Sequence, residues 1–360
     1  MRIILTLGPS VGGIGTHVRD LAEHCVAQGD EVVVIAPQAT EEHFDFTSAG
    51  ATFLPRPALP TLRRVLKDAD VVHSHGLKAA ALTNLARAPR RKPRHVVTLH
   101  NAVLTTGPRA QIAKLLELLA IRPADVVLGA SPDLVHRAKT LGAKHTALTP
   151  IPAPPLPTPT RSRAQIRADL RLADKEALLL SVGRLAPQKS LPLLLDALAA
   201  LHDVPLKLAI AGDGPDRAAL ASRIKAENLP VTLLGHQPPN AIADLLAAAD
   251  VFVLASRWEA RALVIQEALR AGVPVVATAV GGLPDLVGAA ALLAPYNDAP
   301  ALATAIRRAL TDTTLRATLH TAGPAQAATW PTFTESLDTA RAYYLTNPTP
   351  EPPPPPARLP

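Results

Sequence analysis

The feature that most constrains this chain is a repeated alternation of short Val- and Ile-rich runs with longer stretches of helical period. RIILTL (2–7), EVVVIA (31–36), DVVH (70–73), HVVTL (95–99) and DVVLGA (125–130) lack a clean apolar–polar alternation. They therefore read as strands buried on both faces, the habit of parallel sheets. Helical segments such as 14–28 and 132–141 separate them. The stretch TPIPAPPLPTPTRSR (149–163) then interrupts the pattern, because its prolines exclude helix and central strand alike. Beyond it the pattern restarts in ALLLSVG (177–183), LKLAIAG (206–212), VTLLG (231–235), DVFVLA (250–255) and PVVAT (274–278). The expected fold is α/β, with two tandem Rossmann-like, doubly wound domains facing a cleft. The boundaries expected are 1–157 and 158–330, then a C-terminal helix over 331–346 that packs back on the first domain. Residues 347–360 read as a disordered, proline-rich tail.

Composition narrows the class. A chain of 360 residues is long enough to bury two cores. The single cysteine, Cys25, excludes an internal disulfide framework and points to a reducing compartment. No apolar run reaches bilayer-spanning length, and MRIILTLGP breaks too early for a secretory signal. A cytoplasmic protein is expected, with peripheral contact at the inner membrane face as an extension of that reading.

The net charge of +7 is uneven, since residues 1–157 hold 18 Lys/Arg against 12 Asp/Glu. The densest part is RAPRRKPRH, with Arg87, Arg90, Arg91, Lys92 and Arg94. It reads either as a solvated loop or as a patch for an anionic membrane or substrate. GPRAQIAKLLELLAIR (107–122) reads as an amphipathic helix with Ile112, Leu115, Leu116 and Leu119 on one side. That side either packs on the sheet or meets a membrane. Nucleic acid is not expected, because the basic residues are not interleaved with aromatics.

Parallel sheets of this kind bind ligands beyond the carboxyl ends of their strands, so polar groups there are the candidates. After the first strand, LGPSVGGIGTH offers Gly12, Gly13 and Gly15, expected to allow positive φ and close backbone approach at a helix start. The dinucleotide fingerprint is absent, since its third glycine would fall at Val18. SVGRLAPQKS places Arg184 just after a strand and Lys189 five residues on, a pair suited to a diphosphate. VVTLHN puts His100 at a strand end, while His73 and His75 of DVVHSHG read as structural. SRWEARALVIQEALRAG carries Glu259 and Glu267 eight residues apart. On one helix that spacing places both carboxylates on nearly the same face, about two turns apart.

The ordered motifs GGIGTHV, DVVHSH, VVTLH, VGRLAPQK, GDGP, EARALVIQE, AGVPVVAT and VGGLPDLV run from the first strand towards residue 345. Together they resemble the retaining glycosyltransferases of the GT-B fold, family four (glycosyl transferases group 1). The resemblance implies a nucleoside-diphosphate sugar as co-substrate and a carbohydrate or lipid-linked hydroxyl as acceptor. It implies that Glu259 meets hydroxyls of the donor sugar and Glu267 the ribose. The N–H groups of Arg261, Ala262 and Leu263 would face the diphosphate, whose growing charge Arg184 and Lys189 would stabilise. Gly12 and Gly13 would approach the donor, with His100 near the transferred hexose. It also implies same-face transfer assisted by the leaving phosphate.

Departures from the family pattern leave the donor open. Ala260, Arg261 and Ala262 stand where a glycine-rich GFG is usual, Ser190 replaces the common glycine after Lys189, and the usual Asn-Gly near the linker is absent. No DxD-type motif stands at a strand end, so neither a metal nor another cofactor is expected. The alternatives are a nucleotide-sugar epimerase on the same architecture and a non-catalytic carbohydrate-binding protein.

Overall fold

A computed structural model describes residues 1–88, 92–105 and 107–348. The chain divides into two compact units, Met1–Pro150 joined by the stretch from Thr334 onwards, and Ile151–Phe333.

The first unit runs β1 (Arg2–Leu7), α1 (Gly13–Ala27), β2 (Glu31–Ala36), α2 (Gln38–Phe44), β3 (Thr52–Pro55), α3 (Leu59–Leu66) and β4 (Val71–His75). It continues with α4 (Leu77–Arg87), β5 (Arg94–Leu99), α5 (Pro108–Ile121), β6 (Val126–Gly129), α6 (Pro132–Thr140) and β7 (Thr146–Leu148). Its sheet has the order β3-β2-β1-β4-β5-β6-β7, with parallel pairing throughout. The central strands are buried on both faces, as their unbroken Val/Ile runs require.

The second unit runs α7 (Arg163–Asp169), β8 (Ala177–Val182), a 3-10 turn (Pro187–Lys189), α8 (Leu191–Ala199), β9 (Leu206–Ala211), α9 (Arg217–Ala226) and β10 (Val231–Gly235). After these come α10 (Pro239–Ala248), β11 (Val251–Leu254), α11 (Leu263–Arg270), β12 (Val275–Thr278), α12 (Leu283–Val287), β13 (Ala291–Ala294), α13 (Ala299–Thr311) and α14 (Thr313–Ala327). The sheet order is β10-β9-β8-β11-β12-β13, again parallel. Two apolar layers flank it, one containing Leu178, Phe252 and Ile265, the other Leu179, Leu194 and Ile306.

The division falls at Pro150/Ile151 rather than after residue 157. Gln266 explains this: its amide accepts from Ala153 N and donates to Ile151 O, while Arg270 donates to Ala153 O. These bonds tie the proline segment to the second unit. The last helix, α15 (Phe333–Ala342), belongs to the first unit from Thr334 onwards. There Asp338 pairs with His24, Arg341 with Asp30, and Tyr344 Oη lies 2.9 Å from His73 Nδ1. The tail expected to be disordered lies, from residue 349, outside the described residues.

Candidate active site

In the second unit the polar groups gather where β8 and β11 end. Beyond β8 the chain turns through Arg184 into the 3-10 turn that ends at Lys189. Beyond β11 it runs irregularly from Ala255 to Ala262 before α11 begins. The two loops are stitched by Arg257 N donating to Gln188 O at 2.8 Å and Gln188 Nε2 donating to Trp258 O at 2.9 Å. This brings Lys189 Nζ to 2.6 Å from Glu259 Oε1, with side-chain exposures of 18% and 9%. Ser256 Oγ donates to the same oxygen at 2.6 Å, and Thr278 Oγ1 donates to Ser256 O. Gly281 closes the far side. Its φ is +54°, and a Cβ there would sit 2.1 Å from Glu259 O, so glycine is required by both backbone and space.

The two glutamates do not share a helix face. α11 starts at Leu263, leaving Glu259 in the preceding loop and only Glu267 on the helix. Bonds from Gly282 N to Glu259 O and from Ser256 to its carboxylate hold the loop out of helical register. Ala262, the residue before the helix, has φ −55°, and the N–H groups of Arg261, Ala262 and Leu263 have no acceptor among the described residues. They are available to an anion at the helix start.

The Glu267 carboxylate lacks a hydrogen-bond partner among the described residues, and burial lifts its pKa from the ordinary 4.5 to about 7, with nearby Arg270 opposing the rise. Arg261 lies over the Trp330 ring at 5.1 Å, and Arg270 over the same ring at 5.8 Å. Burial and the second guanidinium lower Arg261 to about 10. Arg184 is exposed and makes no ion pair or hydrogen bond among the described residues, so its fork is free. Ser190 adopts φ 45°, ψ 41°, the left-handed conformation in which glycine is the common choice.

In the first unit, Gly12 and Gly13 are exposed at the start of α1, but neither they nor Gly15 has positive φ. Gly15 is required for packing, because a Cβ there would lie 2.1 Å from the Phe44 ring. At Gly12 a Cβ would meet nothing within 4 Å, so the fold itself does not demand glycine. His100 is buried just past β5, and its Nε2 lies 3.0 Å from His75 Nδ1. His75, read from the sequence as structural, is thus the direct neighbour of His100. His17 presents its ring edge-on to both, with centroids 5.6 and 5.7 Å away. His73 does act structurally, held by Tyr344 and by Thr98 Oγ1 at 2.7 Å. Burial lowers His17 to about 4 and His73 to about 3, and puts His75 and His100 well below the usual histidine range. All four rings are neutral near pH 7. Sequence reasoning did not single out Ser256, His17 and His75, which the structure places beside the candidates Glu259 and His100; proximity in GGIGTHV and a serine three residues before Glu259 were the available signals.

The basic cluster splits. Arg87 is buried, bonded to Asp125 at 2.7 Å and to Pro93 O, and Arg94 donates to Tyr343 O, Thr346 O and Asn347. Both are structural, Lys92 is exposed, and Arg90 and Arg91 lie outside the described residues. On α5 the buried face is Glu117, Ala120 and Ile121, whereas Ile112, Leu115 and Leu119 are 72%, 58% and 52% exposed. The apolar stripe therefore does not pack on the sheet; Leu116 is only half-buried.

The two parallel-sheet units have the fold of the GT-B glycosyltransferases. Sucrose-phosphate synthase from Thermosynechococcus elongatus superposes with a TM-score of 0.76 over 95% of this chain and 98% of its own, at 25% identity. Anabaena HepE, solved in complex with UDP, shares the fold with a TM-score of 0.81 over 95% and 99%, at 21% identity. Family models match twice, "Glycosyl transferase 4-like domain" over 12–154 and "Glycosyl transferases group 1" over 162–326. A GDP-mannose-dependent alpha-(1-6)-phosphatidylinositol dimannoside mannosyltransferase of Mycobacterium tuberculosis is 30% identical, covering 83% of this chain and 84% of that protein. The teichuronic acid biosynthesis glycosyltransferase TuaC of Bacillus subtilis is 32% identical over 66% of this chain and 61% of its own length. The chain belongs to the group 1 glycosyltransferases of family 4.

Proposed function

We propose that this glycosyltransferase moves a hexose, with retention, from a nucleoside-diphosphate sugar to a hydroxyl of a carbohydrate or lipid-linked acceptor at an anionic membrane surface. The observation that carries the donor reading is the meeting of Lys189, Glu259 and Ser256 beside the unpaired N–H groups at the start of α11. Glu267, one helical turn into α11, is assigned to the ribose, since a carboxylate accepts bidentately from vicinal hydroxyls. Glu259 is assigned to the sugar. Arg184 and Lys189 are assigned to the charge that grows on the diphosphate as the C1–O bond breaks. His100 and the Gly12–Gly13 loop are assigned to the transferred sugar on the family resemblance. The acceptor oxygen attacks C1 on the face the diphosphate leaves, and its proton passes to the departing phosphate oxygen. Every step is assigned to groups of the chain and the donor, without a metal.

Helix α5 supports the membrane surface. Its exposed stripe of Ile112, Leu115 and Leu119 is accompanied by exposed Arg109 and Lys114, while its only acid, Glu117, is buried against Arg137. An apolar stripe with only cations beside it matches anionic lipid headgroups above acyl chains. Incubation with a panel of nucleotide sugars and acceptors tests the activity, and the anomeric configuration of the product, read by NMR, tests retention. Co-sedimentation with phosphatidylglycerol vesicles tests the surface: loss of binding in Leu115→Asp supports it, and wild-type protein that stays in the supernatant at low salt overturns it.

A further inference from the structure

His75 is bonded to His100 at one ring nitrogen and, among the described residues, has no partner at the other. The rings are 29° from coplanar with centroids 5.3 Å apart, so the Nδ1–Nε2 bond of 3.0 Å lies near both ring planes, where imidazole lone pairs and N–H bonds point. Between two neutral imidazoles this bond holds one proton, so the tautomer of either ring dictates that of the other. The second nitrogen of His75, Nε2, is buried and meets no partner among the described residues. Either state leaves that nitrogen unpaired, but orphaned buried N–H donors are rarer in folded proteins than under-satisfied acceptors, so the bare nitrogen is the favoured state.

We propose that His75 is a positioning residue that donates from Nδ1 to His100 Nε2, so that His100 carries its proton on Nδ1 and presents that N–H to an oxygen of the donor sugar. With Nε2 held by His75, Nδ1 is the only His100 nitrogen left for a substrate. The surroundings hold His75 in place: His73 lies against its ring at 4.1 Å and is itself tied to Tyr344 and Thr98. His17 stands edge-on to both rings, with centroids 5.6 and 5.7 Å away. The substrate half of this proposal rests on the assignment of His100 to the transferred sugar; the tautomer half stands on the free protein alone.

Long-range proton–nitrogen NMR on histidine-labelled wild-type protein reads the tautomers directly. His75 and His100 should both be protonated at Nδ1, the signals being assigned with His75→Asn and His100→Asn; protonation of His100 at Nε2 overturns the proposal. Kinetics supply a second arm. Gln carries its amide near the place of Nε2 and leaves Nδ1 empty, whereas Asn carries one near Nδ1. Turnover of His75→Gln should fall about tenfold with the donor KM little changed, the loss of one hydrogen bond that orients a reacting group. His75→Asn should recover most of that loss. Equal turnover in the two variants, with thermal midpoints matching each other, overturns the positioning role. Absence of transfer by the wild-type protein would instead count against the proposed function and leave the tautomer result untouched.

Discussion

Neutralising Glu259 separates the roles assigned to the ion pair at the centre of the second unit. In the resting protein Lys189 Nζ donates to Glu259 Oε1 at 2.6 Å, so a diphosphate has to draw the ammonium away or share it. A hydrogen bond to a charged group contributes roughly 1.5–3 kcal/mol. Lys189 keeps 18% of its side-chain exposure, and solvent screening reduces the competition it represents. Glu259→Gln removes the competing charge while keeping the shape and an oxygen for Ser256 Oγ. The bare nucleoside diphosphate should then bind about 3–10-fold tighter, a gain of about 0.7–1.4 kcal/mol. Turnover should move the other way, by roughly 10–100-fold, because the sugar loses a charged acceptor. Calorimetry with UDP, GDP and ADP measures the first effect, and initial rates under saturating donor measure the second. If Glu259→Gln weakens diphosphate binding as much as Glu267→Ala does, the division of labour between the two glutamates is wrong.

Arg184→Ala and Lys189→Ala should each lower turnover by on the order of 10²–10³ while much of the donor affinity survives through the α11 N-terminus; wild-type turnover in either variant would place the diphosphate clamp elsewhere. Because burial holds Glu267 near 7, above its ordinary 4.5, the folded state keeps the proton more tightly, and its contribution to stability declines as pH rises through that window. Nucleotide affinity should instead rise through pH 7 as the carboxylate ionises, and calorimetry across pH should show a smaller rise in Glu267→Gln, where only the phosphate titrates. Ser190→Gly relieves a left-handed serine and should stabilise the second unit by about 0.5–1 kcal/mol, raising its thermal midpoint by roughly 2–4 °C in calorimetric scans. Turnover should be unaffected by a chelator such as EDTA, and restoration of lost activity by one divalent ion would refute metal independence.

Local pattern determined most of the architecture. Ten strands were legible, nine because central strands of a parallel sheet carry apolar runs rich in Val, Ile and Leu, and β10, at an edge, through its own run VTLLG; the proline stretch marked the restart. The strands that escaped notice, β3, β7 and β13, are three or four residues long and lie at sheet edges, where half-exposed residues carry no distinctive run. Residue order likewise placed Arg184, Lys189 and His100 at strand ends, since the chain must turn there. Tertiary contacts decided the rest. A period of 3.6 puts Glu259 and Glu267 on one face only if one helix holds both, and the bonds from Ser256 and Gly282 keep Glu259 in the loop before α11. Glycine in GGIGTH could mean a positive φ or a close approach, and only the Phe44 ring shows that Gly15 serves packing. The pairing of His75 with His100 joins residues 25 apart, which no local periodicity encodes; the parallel register of β4 on β5 brings them together.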